Sequence, residues 1–400
     1  MKPLRLLLIS RCPPYPLHLG DRLIVYHLAR ELARRGHVID LLAFYNRPDD
    51  PDHLAAYRDH FQDVTLIREP HRGVLAYLLR LALPGRMFPE KVAQAWSPPM
   101  WRAIAARLTA RRYDAAQLFG GIHVYEYRAL VQAMPNLIVP YESYTLYLTR
   151  ALAHRPTPSL WLQRLIAARF ERVMFGGFGG VVVLTAQDAA ALRALDPALD
   201  VTVIPNGIDT EYFTPTGAAV DPATLIFTGN FEYAPNVEAA RFLASAIFPL
   251  VQRAIPEARL LLVGNAPPPD LLALSGGPIQ VLGRVPDVRP YLEAATVFVC
   301  PLLTGAGIKN KVLEAMAMGK PIVATPLSAD GIDLIEGHHA LFGQAADTLA
   351  SAVVHLLSNA PLRTSMGIAN RALIAERFTW GAVADRYEAL YRALGAGMGM

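Results

Sequence analysis

The sequence predicts an α/β protein of two domains, each built on a parallel sheet. Short apolar runs alternate with longer stretches of helical periodicity along the chain, which is typical of βα units whose strands are buried on both faces. At 400 residues the chain is too long for one ordinary domain of about 100–200 residues. With 53% hydrophobic and 18% charged residues it has ample apolar surface to bury, which excludes a disordered chain.

The first half of the sequence predicts one sheet with helices between its strands. Residues 21–35 carry apolar side chains at intervals of three and four positions and end at Gly36, as an amphipathic helix does. Together with the apolar runs on either side, this helix forms a predicted βαβ unit. The predicted strands are Leu4 to Ile9, Val38 to Phe44, Val64 to Ile67, Ala115 to Phe119, Leu137 to Val139, Gly180 to Leu184 and Val201 to Ile204.

The second half repeats the pattern and predicts a second sheet. Its predicted strands are Thr224 to Phe227, Arg259 to Val263, Ile279 to Leu282, Thr296 to Cys300, Pro321 to Ala324 and Ala340 to Phe342. The joint is predicted at residues 204–209, because Pro and Gly interrupt the pattern there. The predicted domains are therefore residues 1–205 and 206–378, and we expect a last helix in residues 379–400 to pack back on the first domain.

The beginning of the chain and its cysteines indicate the setting of the protein. The apolar run at residues 6–9 is shorter than the apolar region of about 7–15 residues in a signal peptide, and no stretch reaches the roughly 18 apolar residues of a membrane span. Cys12 and Cys300 are predicted to be separate buried thiols, since neither has a CxxC partner or a nearby His. Asp50 and Asp52 are predicted to form a solvated turn. We expect a cytoplasmic protein with no bound metal.

Positive charge is concentrated in the first half of the chain. Residues 1–200 contain 25 Lys and Arg against 17 Asp and Glu, whereas residues 201–400 contain 13 against 17. Residues 68–112, the basic segment, contain 9 basic and 2 acidic residues beside the apolar stretch 74–83. Nucleic acid is not expected as a partner, because the aromatic residues are not interleaved with the arginines. Either this segment rests on an anionic membrane surface, or its apolar stretch is core and its arginines are the solvated edge.

The segment after residue 300 has the pattern of a phosphate-binding loop. Gly305 and Gly307 form a turn between a predicted strand and a predicted helix. Such a turn lets backbone N–H groups approach a phosphate, and the helix dipole adds about half a positive charge at its start. Lys309 and Lys311 fall in the same opening segment, so an anionic diphosphate is the predicted ligand.

Glu314 lies one helical turn beyond Lys311 on the same predicted face. In that place it is predicted to accept hydrogen bonds from two hydroxyls of a ribose. The alternative is that Glu314 only pairs with Lys311 on a solvated helix face. The glycine-rich stretch 176–180 precedes its strand, which is the wrong order for a dinucleotide fingerprint, so no cofactor is predicted.

These segments resemble the GT-B glycosyltransferases of family 4, which are retaining nucleotide-sugar transferases. The run Lys311-Val-Leu-Glu-Ala-Met-Ala with the following Gly-Lys-Pro-Ile-Val-Ala-Thr is similar to the family's donor-site helix and next strand. Ile204-Pro-Asn-Gly-Ile-Asp209 resembles its interdomain segment, and Phe227-Thr-Gly-Asn-Phe231 its first donor-domain loop. The resemblance implies two Rossmann-like domains with parallel sheets facing across a cleft, the first for the acceptor and the second for the donor.

A finer resemblance is to the bacterial branch associated with exopolysaccharide assembly, including transferases linked to exosortase systems. It is carried by Thr228-Gly-Asn-Phe-Glu-Tyr-Ala-Pro-Asn236, by the turn Gly307-Ile-Lys-Asn-Lys311 and by Gly20-Asp21-Arg22. Together with Trp380 and the terminal helix, the resembling segments extend over most of the chain.

Two positions depart from the family pattern. The family often carries two glutamates with seven residues between them, and counting back from Glu314 gives Ala306, so the contact to the donor sugar is missing or replaced. The family also often has an Arg and a Lys after the first strand of the donor domain, where this chain has Asn230 and Ala234 or Pro235. We therefore expect the two lysines of the turn to supply the missing charge.

The resemblance also places residues outside the turn. The donor-side residues are Gly229, Asn230, Arg284 and Val285, and the acceptor-side residues are Gly20, Asp21, Arg22 and Glu142. Arg284 and Val285 match the position that reads the nucleobase. Gly20 would let the backbone approach the transferred group, and a plain turn with an N-cap is the second hypothesis there. His123 is interpreted as a satisfied histidine and not as a base.

The predicted function is the transfer of a hexosyl group, with retention and without a metal, from a nucleoside diphosphate sugar to a saccharide or lipid-linked acceptor. The predicted process is bacterial polysaccharide biosynthesis, in the cytoplasm or peripherally on the inner face of the membrane. Lys309, Lys311 and Glu314 are the predicted catalytic residues. Two alternatives stay open: a non-catalytic GT-B scaffold subunit, which Ala306 favours, and a nucleotide-sugar epimerase.

Overall fold

The structure is a computed structural model that describes residues 2–17, 20–73, 80 and 87–397. The chain divides into two compact units, of which one comprises Met1–Pro205 with Trp380–Met400 and the other Asn206–Thr379. In the described ranges we find no helix that combines the length and the apolar character needed to cross a bilayer.

The first unit contains a parallel sheet with seven strands among the described residues. They are β1 (Arg5–Ser10), β2 (Val38–Tyr45), β3 (Asp63–Arg68), β4 (Ala115–Phe119), β5 (Asn136–Tyr141), β6 (Gly180–Val183) and β7 (Val201–Val203). Their order in the sheet is β3-β2-β1-β4-β5-β6-β7. Leu6 of β1 pairs with Ile39 of β2 on one side and with Ala115 of β4 on the other. These central strands are almost fully buried, as strands covered by helices on both faces must be.

Helices connect the strands of the first unit. They are Gly20–Arg34, Pro98–Ala110, Arg128–Val131, Tyr144–His154, Pro158–Met174, Ala186–Leu195 and Trp380–Gly397. Four of them begin with a hydroxyl residue whose side chain accepts a hydrogen bond from a backbone N–H three positions on, which satisfies a donor of the first turn. These caps are Ser97, Ser143, Thr157 and Thr185.

The helix Trp380–Gly397 packs against the helix Gly20–Arg34 in the first unit. The rings of His27 and Trp380 stack with centroids 5.1 Å apart. Nε2 of His37 lies 2.5 Å from a carboxylate oxygen of Glu388. An apolar stack and a buried polar contact thus hold the end of the chain to the first sheet domain.

The second unit contains a parallel sheet with six strands among the described residues, in the order β10-β9-β8-β11-β12-β13. They are β8 (Thr224–Thr228), β9 (Arg259–Val263), β10 (Ile279–Leu282), β11 (Val297–Cys300), β12 (Ile322–Ala324) and β13 (Ala340–Phe342). The helices are Ala234–Phe242, Phe248–Ala254, Pro269–Leu272, Arg289–Ala294, Asn310–Ala317, Ala346–Ser358 and Ala360–Arg377. A π-helical segment, Leu243–Ile247, joins the first two of these helices.

The two parallel sheets with helices between their strands confirm the predicted α/β class. One local prediction is wrong: Asp50 does not lie in a solvated turn but is fully buried. It begins a 3-10 segment, Asp50–Ala56, and its carboxylate accepts hydrogen bonds from the guanidinium of Arg22. A charge pair made with a residue 28 positions away has no signature in local sequence.

Candidate functional site

The strand order of the second sheet reverses between β8 and β11, because the chain runs from β8 to β10 on one side and then crosses to β11 on the other. The loops that leave these two strands diverge, and open α/β sheets bind ligands at such a point. We call the loops 229–233 and 301–309 the second-unit switch point. Five predicted donor residues lie in these loops, namely Gly229, Asn230, Gly305, Gly307 and Lys309.

Two glycines shape the loop after β11. Gly305 has φ +123° and Gly307 has φ +67°, a region that residues with a side chain rarely adopt. A Cβ on Gly305 would also lie 3.4 Å from the hydroxyl of Tyr233. The helix Asn310–Ala317 follows, and the first N–H groups of a helix have no partner within it. The loop and the helix start therefore present backbone donors at the edge of the sheet, as an anion site requires.

Gly264, which follows β9, lets its own loop contact the loop after β8. A Cβ at this position would lie 1.6 Å from the carbonyl oxygen of Gly229, so any other residue would displace the loop after β8. Gly264 had no predicted role. The signal that could have found it is a single glycine directly after a predicted strand, which often marks close approach of two backbones.

Lys311 stands in the first turn of the helix Asn310–Ala317, and its ammonium turns toward the loop after β8. Nζ donates a hydrogen bond to Oδ1 of Asn236 and lies 4.7 Å from the centroid of the Phe227 ring. A Cβ on Gly229 would lie 3.2 Å from the same Nζ. Burial lowers the pKa of Lys311 to about 8, because the charged form loses hydration.

Asn236 holds the ammonium of Lys311 in place. Its Nδ2 donates a hydrogen bond of 2.8 Å to the carbonyl oxygen of Asn230, and this orients Oδ1 toward the lysine. Asn236 is buried, so the amide is held rigidly. No local sequence signal assigns this role, because Lys311 is 75 positions away along the chain.

Glu314 is half-buried on the same helix as Lys311. Burial raises the pKa of Glu314 to about 7, and the positive charge of Lys311 opposes that shift. Among the described residues no ion pair joins these two side chains, since the ammonium bonds to Asn236. The structure thus departs from the alternative in which Glu314 only pairs with Lys311, and it leaves the carboxylate able to accept hydrogen bonds.

Lys309 occupies a different position from Lys311. It is buried, and its ammonium donates hydrogen bonds to the carbonyl oxygens of Ala306 and Gly307 in its own turn. In this conformation it stabilises the turn, and the cation that faces the loop after β8 is Lys311. Ala306, at the position where the family often has a glutamate, is itself buried under this turn.

The predicted nucleobase residues, Arg284 and Val285, follow β10 at the same edge of the sheet. β10 is the second strand away from β8. Arg284 is exposed and Val285 is half-buried. In the described part of the chain no hydrogen bond or ion pair connects either residue with Lys311 or Glu314.

The strand order of the first sheet reverses between β1 and β4, and the described residues of the loops after these strands, 11–17 and 120–123, form the first-unit switch point. Arg11 lies against Gly120, since a Cβ there would be 2.5 Å from Cγ of the arginine. A guanidinium nitrogen of Arg11 lies 3.2 Å from a carboxylate oxygen of Asp21, the predicted acceptor-side residue.

Gly20 and Arg22 take different positions in the first turn of their helix. Gly20 is exposed at the start of the helix. Arg22 is buried, donates to both carboxylate oxygens of Asp50 and also bonds the carbonyl oxygen of Tyr15. Burial raises the pKa of Asp50, but the hydrogen bonds from Arg22 and from a backbone N–H outweigh it and leave that pKa below its usual value. Arg22 therefore stabilises the loop after β1 from its buried side.

His123 is part of a charged cluster. Its Nδ1 lies 2.8 Å from a carboxylate oxygen of Glu69 and 2.8 Å from a guanidinium nitrogen of Arg72. Burial lowers the pKa of His123, while the hydrogen bond that Glu69 accepts from the protonated ring opposes that shift. Glu142, which follows β5, is half-buried at the same edge of the sheet. The contacts agree with the interpretation of His123 as a satisfied histidine.

Four of the seven described arginines of the basic segment make ion pairs with carboxylates. Residues 74–79 and 81–86, which hold most of the apolar stretch, lie outside the described residues. The pairs are Arg72 with Glu69 at 2.7 Å, Arg80 with Glu126 at 3.0 Å, Arg107 with Asp63 at 2.5 Å and Arg111 with Asp40 at 2.7 Å. These pairs cancel much of the segment's excess positive charge locally.

Comparison with known sequences matches both halves of the chain. Residues 23–212 match the family model described as Glycosyltransferase Family 4, and residues 222–359 match the one described as Glycosyl transferases group 1. The phosphatidyl-myo-inositol mannosyltransferase of Mycolicibacterium smegmatis is 29% identical over 211 residues, which are 50% of this chain and 54% of that protein. The match thus spans about half the length of this relative. The D-inositol 3-phosphate glycosyltransferase of Corynebacterium diphtheriae is 24% identical over 93% of this chain and 89% of its own.

Solved structures share the fold. Sucrose-phosphate synthase from Thermosynechococcus elongatus superposes with a TM-score of 0.74 at 23% identity, over 98% of this chain and 100% of its own. Anabaena HepE in complex with UDP superposes with a TM-score of 0.71 at 13% identity, over 98% and 100% of the two chains. These similarities confirm the predicted GT-B fold class with two Rossmann-like domains.

Proposed function

We propose, from the membership of this chain in glycosyltransferase family 4, that it transfers a glycosyl group from a nucleoside diphosphate sugar to a saccharide or lipid-linked acceptor. Both halves of the chain match glycosyltransferase family models, which supports a glycosyltransferase. The donor class is our proposal, with the donor bound by the second unit and the acceptor by the first. HepE, which shares the fold, is described in complex with UDP and with UDP-glucose.

The observation that carries the proposal is the ammonium of Lys311 beside glycine backbone at the second-unit switch point. A diphosphate site needs hydrogen-bond donors that can approach the phosphate oxygens closely. It also needs a cation that is partly shielded from water, so that its charge acts on the phosphate. Gly264 lets the loop after β9 contact the loop after β8, Gly305 keeps a side chain out of the loop after β11, and Lys311 is the half-buried cation that faces the loop after β8. The same place in the fold is where open α/β sheets bind nucleotides.

The reaction breaks the bond between the anomeric carbon and the diphosphate oxygen, and the electron pair leaves with the diphosphate. The hydroxyl oxygen of the acceptor forms the new bond to the same carbon, and its proton passes to the departing diphosphate. Lys311 and the start of its helix stabilise the growing negative charge, while Lys309 keeps the turn in shape. Glu314 accepts hydrogen bonds from the ribose hydroxyls. Because these groups supply the charge, we propose that transfer proceeds without a metal ion, and the family resemblance supports retention at the anomeric carbon.

The acceptor is proposed to bear a lipid. The mycobacterial relatives are named phosphatidyl-myo-inositol mannosyltransferases, which supports a lipid-linked acceptor over a free saccharide. Exopolysaccharide assembly remains the proposed process, and it rests on the finer sequence resemblance alone. We place the protein in the cytoplasm, at the inner face of the membrane, where the basic segment 68–112 is one proposed contact with anionic lipid.

The test is calorimetry of the full chain with UDP, GDP and a panel of their sugar conjugates. We expect one nucleoside diphosphate to bind, and Lys311→Met to weaken its binding by at least about 10-fold, since a charge-assisted hydrogen bond to phosphate is lost. Lys91→Met is the matched control, because Lys91 is an exposed lysine of the first unit. If Lys311→Met bound the nucleotide as tightly as Lys91→Met, the proposed diphosphate site would be wrong.

A non-catalytic scaffold subunit is the second candidate, and Ala306 is the observation that favours it. The family often has a carboxylate there for the donor sugar, whereas this chain has a buried methyl group. If no nucleotide or sugar conjugate binds the wild-type protein, the scaffold hypothesis replaces the transferase. Binding of a conjugate, together with product formation on a lipid-linked acceptor, excludes the scaffold.

A further inference from the structure

Two helices of the first unit, Tyr144–His154 and Pro158–Met174, pack against each other between β5 and β6. We call residues 144–174 the helical hairpin. Its two helices are joined by a polar contact, since the carboxylate of Glu171 accepts hydrogen bonds from Oγ of Ser143 at 3.0 Å and from the next backbone N–H at 2.7 Å. The carboxylate of the second helix thus satisfies the start of the first, and the hairpin is an ordered unit.

The second helix of the hairpin presents large apolar side chains on two sides. Phe170 and Met174 are buried against the domain. On the outer side, Trp161 is 57% exposed, Leu162 55% and Leu165 42%. A helix on the surface of a domain normally carries polar residues opposite its buried face. A group of large apolar residues facing solvent marks an interaction surface.

The charge exposed on the helical hairpin is positive. Its sequence contains five arginines and one acidic residue, Glu171. Glu171 is buried where it caps the first helix, so it does not offset the arginines at the surface. Arg155, Arg169 and Arg172 are exposed. The surface is therefore apolar in the middle and cationic around it.

We propose that the helical hairpin lies on an anionic lipid bilayer, with Trp161, Leu162 and Leu165 inserted at the level of the headgroups. Indole and leucine side chains on a basic helix are the pattern of interfacial membrane binding. Arginine side chains extend along the interface and place their guanidinium groups beside lipid phosphates. The second helix has 17 residues and four charged side chains, so it lies on the bilayer and does not span it.

The hairpin suits a lipid surface better than the basic segment does. Among the described residues, the hairpin exposes large apolar side chains whereas the basic segment exposes none. An acidic protein partner would be drawn to the arginines of the hairpin but would not require an exposed Trp-Leu pair. Charge complementarity and the apolar centre together select the bilayer.

The place of the hairpin in the chain links it to the acceptor. Its first helix begins at Tyr144, two residues after Glu142 and directly beyond the carboxyl end of β5. A bilayer under the hairpin would adjoin the edge of the sheet at which the acceptor is proposed to bind. The lipid contact itself does not rest on transferase activity, so it is tested without donor or acceptor and can fail or succeed independently of the proposed function.

The first experiment is flotation of the full chain with vesicles of phosphatidylcholine alone and of phosphatidylcholine with phosphatidylglycerol. We expect binding to the anionic vesicles only, weakened at least about 10-fold by Trp161→Ser with Leu165→Ser, since each loses apolar burial. The matched control is Ile335→Ser with Ile368→Ser, because these side chains are 59% and 66% exposed in the second unit. Thermal melts of both double variants show that they remain folded.

The second experiment follows tryptophan emission. Of the four tryptophans, all of which lie in the described ranges, Trp161 is the exposed one, whereas Trp101 and Trp380 are buried and Trp96 is half-buried. We expect a blue shift on adding anionic vesicles and quenching by brominated lipid. Trp161→Phe should keep vesicle binding and lose most of the shift, which a structural effect on the hairpin would not produce.

Three outcomes would overturn the proposal. One is equal vesicle binding by the wild type and the Trp161→Ser, Leu165→Ser variant. A second is loss of binding in Arg102→Glu with Arg112→Glu of the basic segment while the hairpin variant binds normally. The third is absence of lipid binding with a dimer that the hairpin variant converts to a monomer, which would assign the surface to a second copy of the chain.

Discussion

The two switch points lie at the same kind of reversal in strand order, but they differ in the partners of their positively charged side chains. At the first-unit switch point, Arg11 pairs with a carboxylate of its own loop region, and Arg72, from the end of β3, pairs with the carboxylate beside it. At the second-unit switch point, the ammonium of Lys311 bonds to the neutral amide of Asn236. Among the described residues, the same topology thus carries ion-paired arginines in one unit and a lysine without an ion pair in the other.

The difference indicates what each site can bind. A cation paired with a carboxylate has little field left for a ligand, whereas a cation held by an amide keeps its charge for an anion. This difference supports the proposal that the second unit binds a diphosphate. It likewise supports the proposal that the first unit, with its charges paired, binds a neutral polyhydroxyl group such as a saccharide.

The largest expected effect is on the folding of the first unit. Arg22→Met leaves the carboxylate of Asp50 buried without its partner, and we expect the free energy of unfolding to fall by about 3–5 kcal/mol. Because the pKa of Asp50 is lowered in the folded state, the pair stabilises the fold above about pH 4 and this contribution is lost as pH falls through that lowered pKa. Urea denaturation followed by circular dichroism measures it.

Arg112→Met is the control for this prediction, because Arg112 is an exposed arginine of the same unit. An unchanged unfolding midpoint for Arg22→Met, with a raised KM for the acceptor, would show that Arg22 contacts the acceptor and does not support the loop.

The next effect is on catalysis. Lys311→Met removes the ammonium group that faces the loop after β8, and we expect kcat/KM to fall at least about 100-fold, as when a donor to a developing anion is lost. Lys309→Met is the comparison, and we expect its smaller loss to come with a lower melting temperature, since Lys309 bonds to two carbonyl oxygens of its turn. Turnover unchanged in both variants with saturating donor would contradict the assignment of leaving-group stabilisation to these lysines.

Asn236→Asp makes the second switch point resemble the first. The new carboxylate would cancel the field of Lys311, and we expect affinity for the nucleoside diphosphate to fall by about 10-fold. Asn236→Ser, which keeps a neutral acceptor, should lose less. Calorimetry at constant pH measures both, and an equal loss in the two variants would show that packing, not charge, sets the affinity.

The pH dependence of nucleotide binding tests the same cation more finely. Glu314 should ionise above about pH 7 and Lys311 should lose its proton above about pH 8. We expect affinity for the nucleotide to be greatest between these two pH values. It should fall several-fold within about one pH unit on either side, because Glu314 is protonated at lower pH and Lys311 is deprotonated at higher pH. In Asn236→Asp the upper flank should move to higher pH, since a carboxylate favours the charged amine. An unmoved upper flank would assign it to another group.

The smallest effect is expected in the first unit. Glu69→Gln removes the carboxylate that favours protonated His123, so the pKa of His123 should fall further below its usual value. Titration of labelled histidine by NMR, with His123→Asn to assign the signal, measures the shift. A pKa that stays the same would show that Glu69 does not hold a charge beside the ring.

Much of the fold could be predicted because its signals are local. Apolar runs of strand length and helical periods between them mark βα units wherever they occur, and the glycines of the loop after β11 mark a turn that needs positive φ. The donor helix and its lysines were predicted in the same way. Asn236, Gly264 and the Arg22–Asp50 pair were not, because each acquires its role from a residue distant in sequence.

By itself, then, the amino-acid sequence determined the α/β class, the parallel sheets and the loops that carry the candidate site. The reason is that strand and helix periodicity follow from backbone geometry over a few residues. Only the tertiary structure decided which partner each charge has: Lys311 an amide, Lys309 two carbonyl oxygens of its turn, and Arg22 a buried carboxylate. A partner's identity depends on which loops the strand order brings together, and that order is set by the packing of the whole unit.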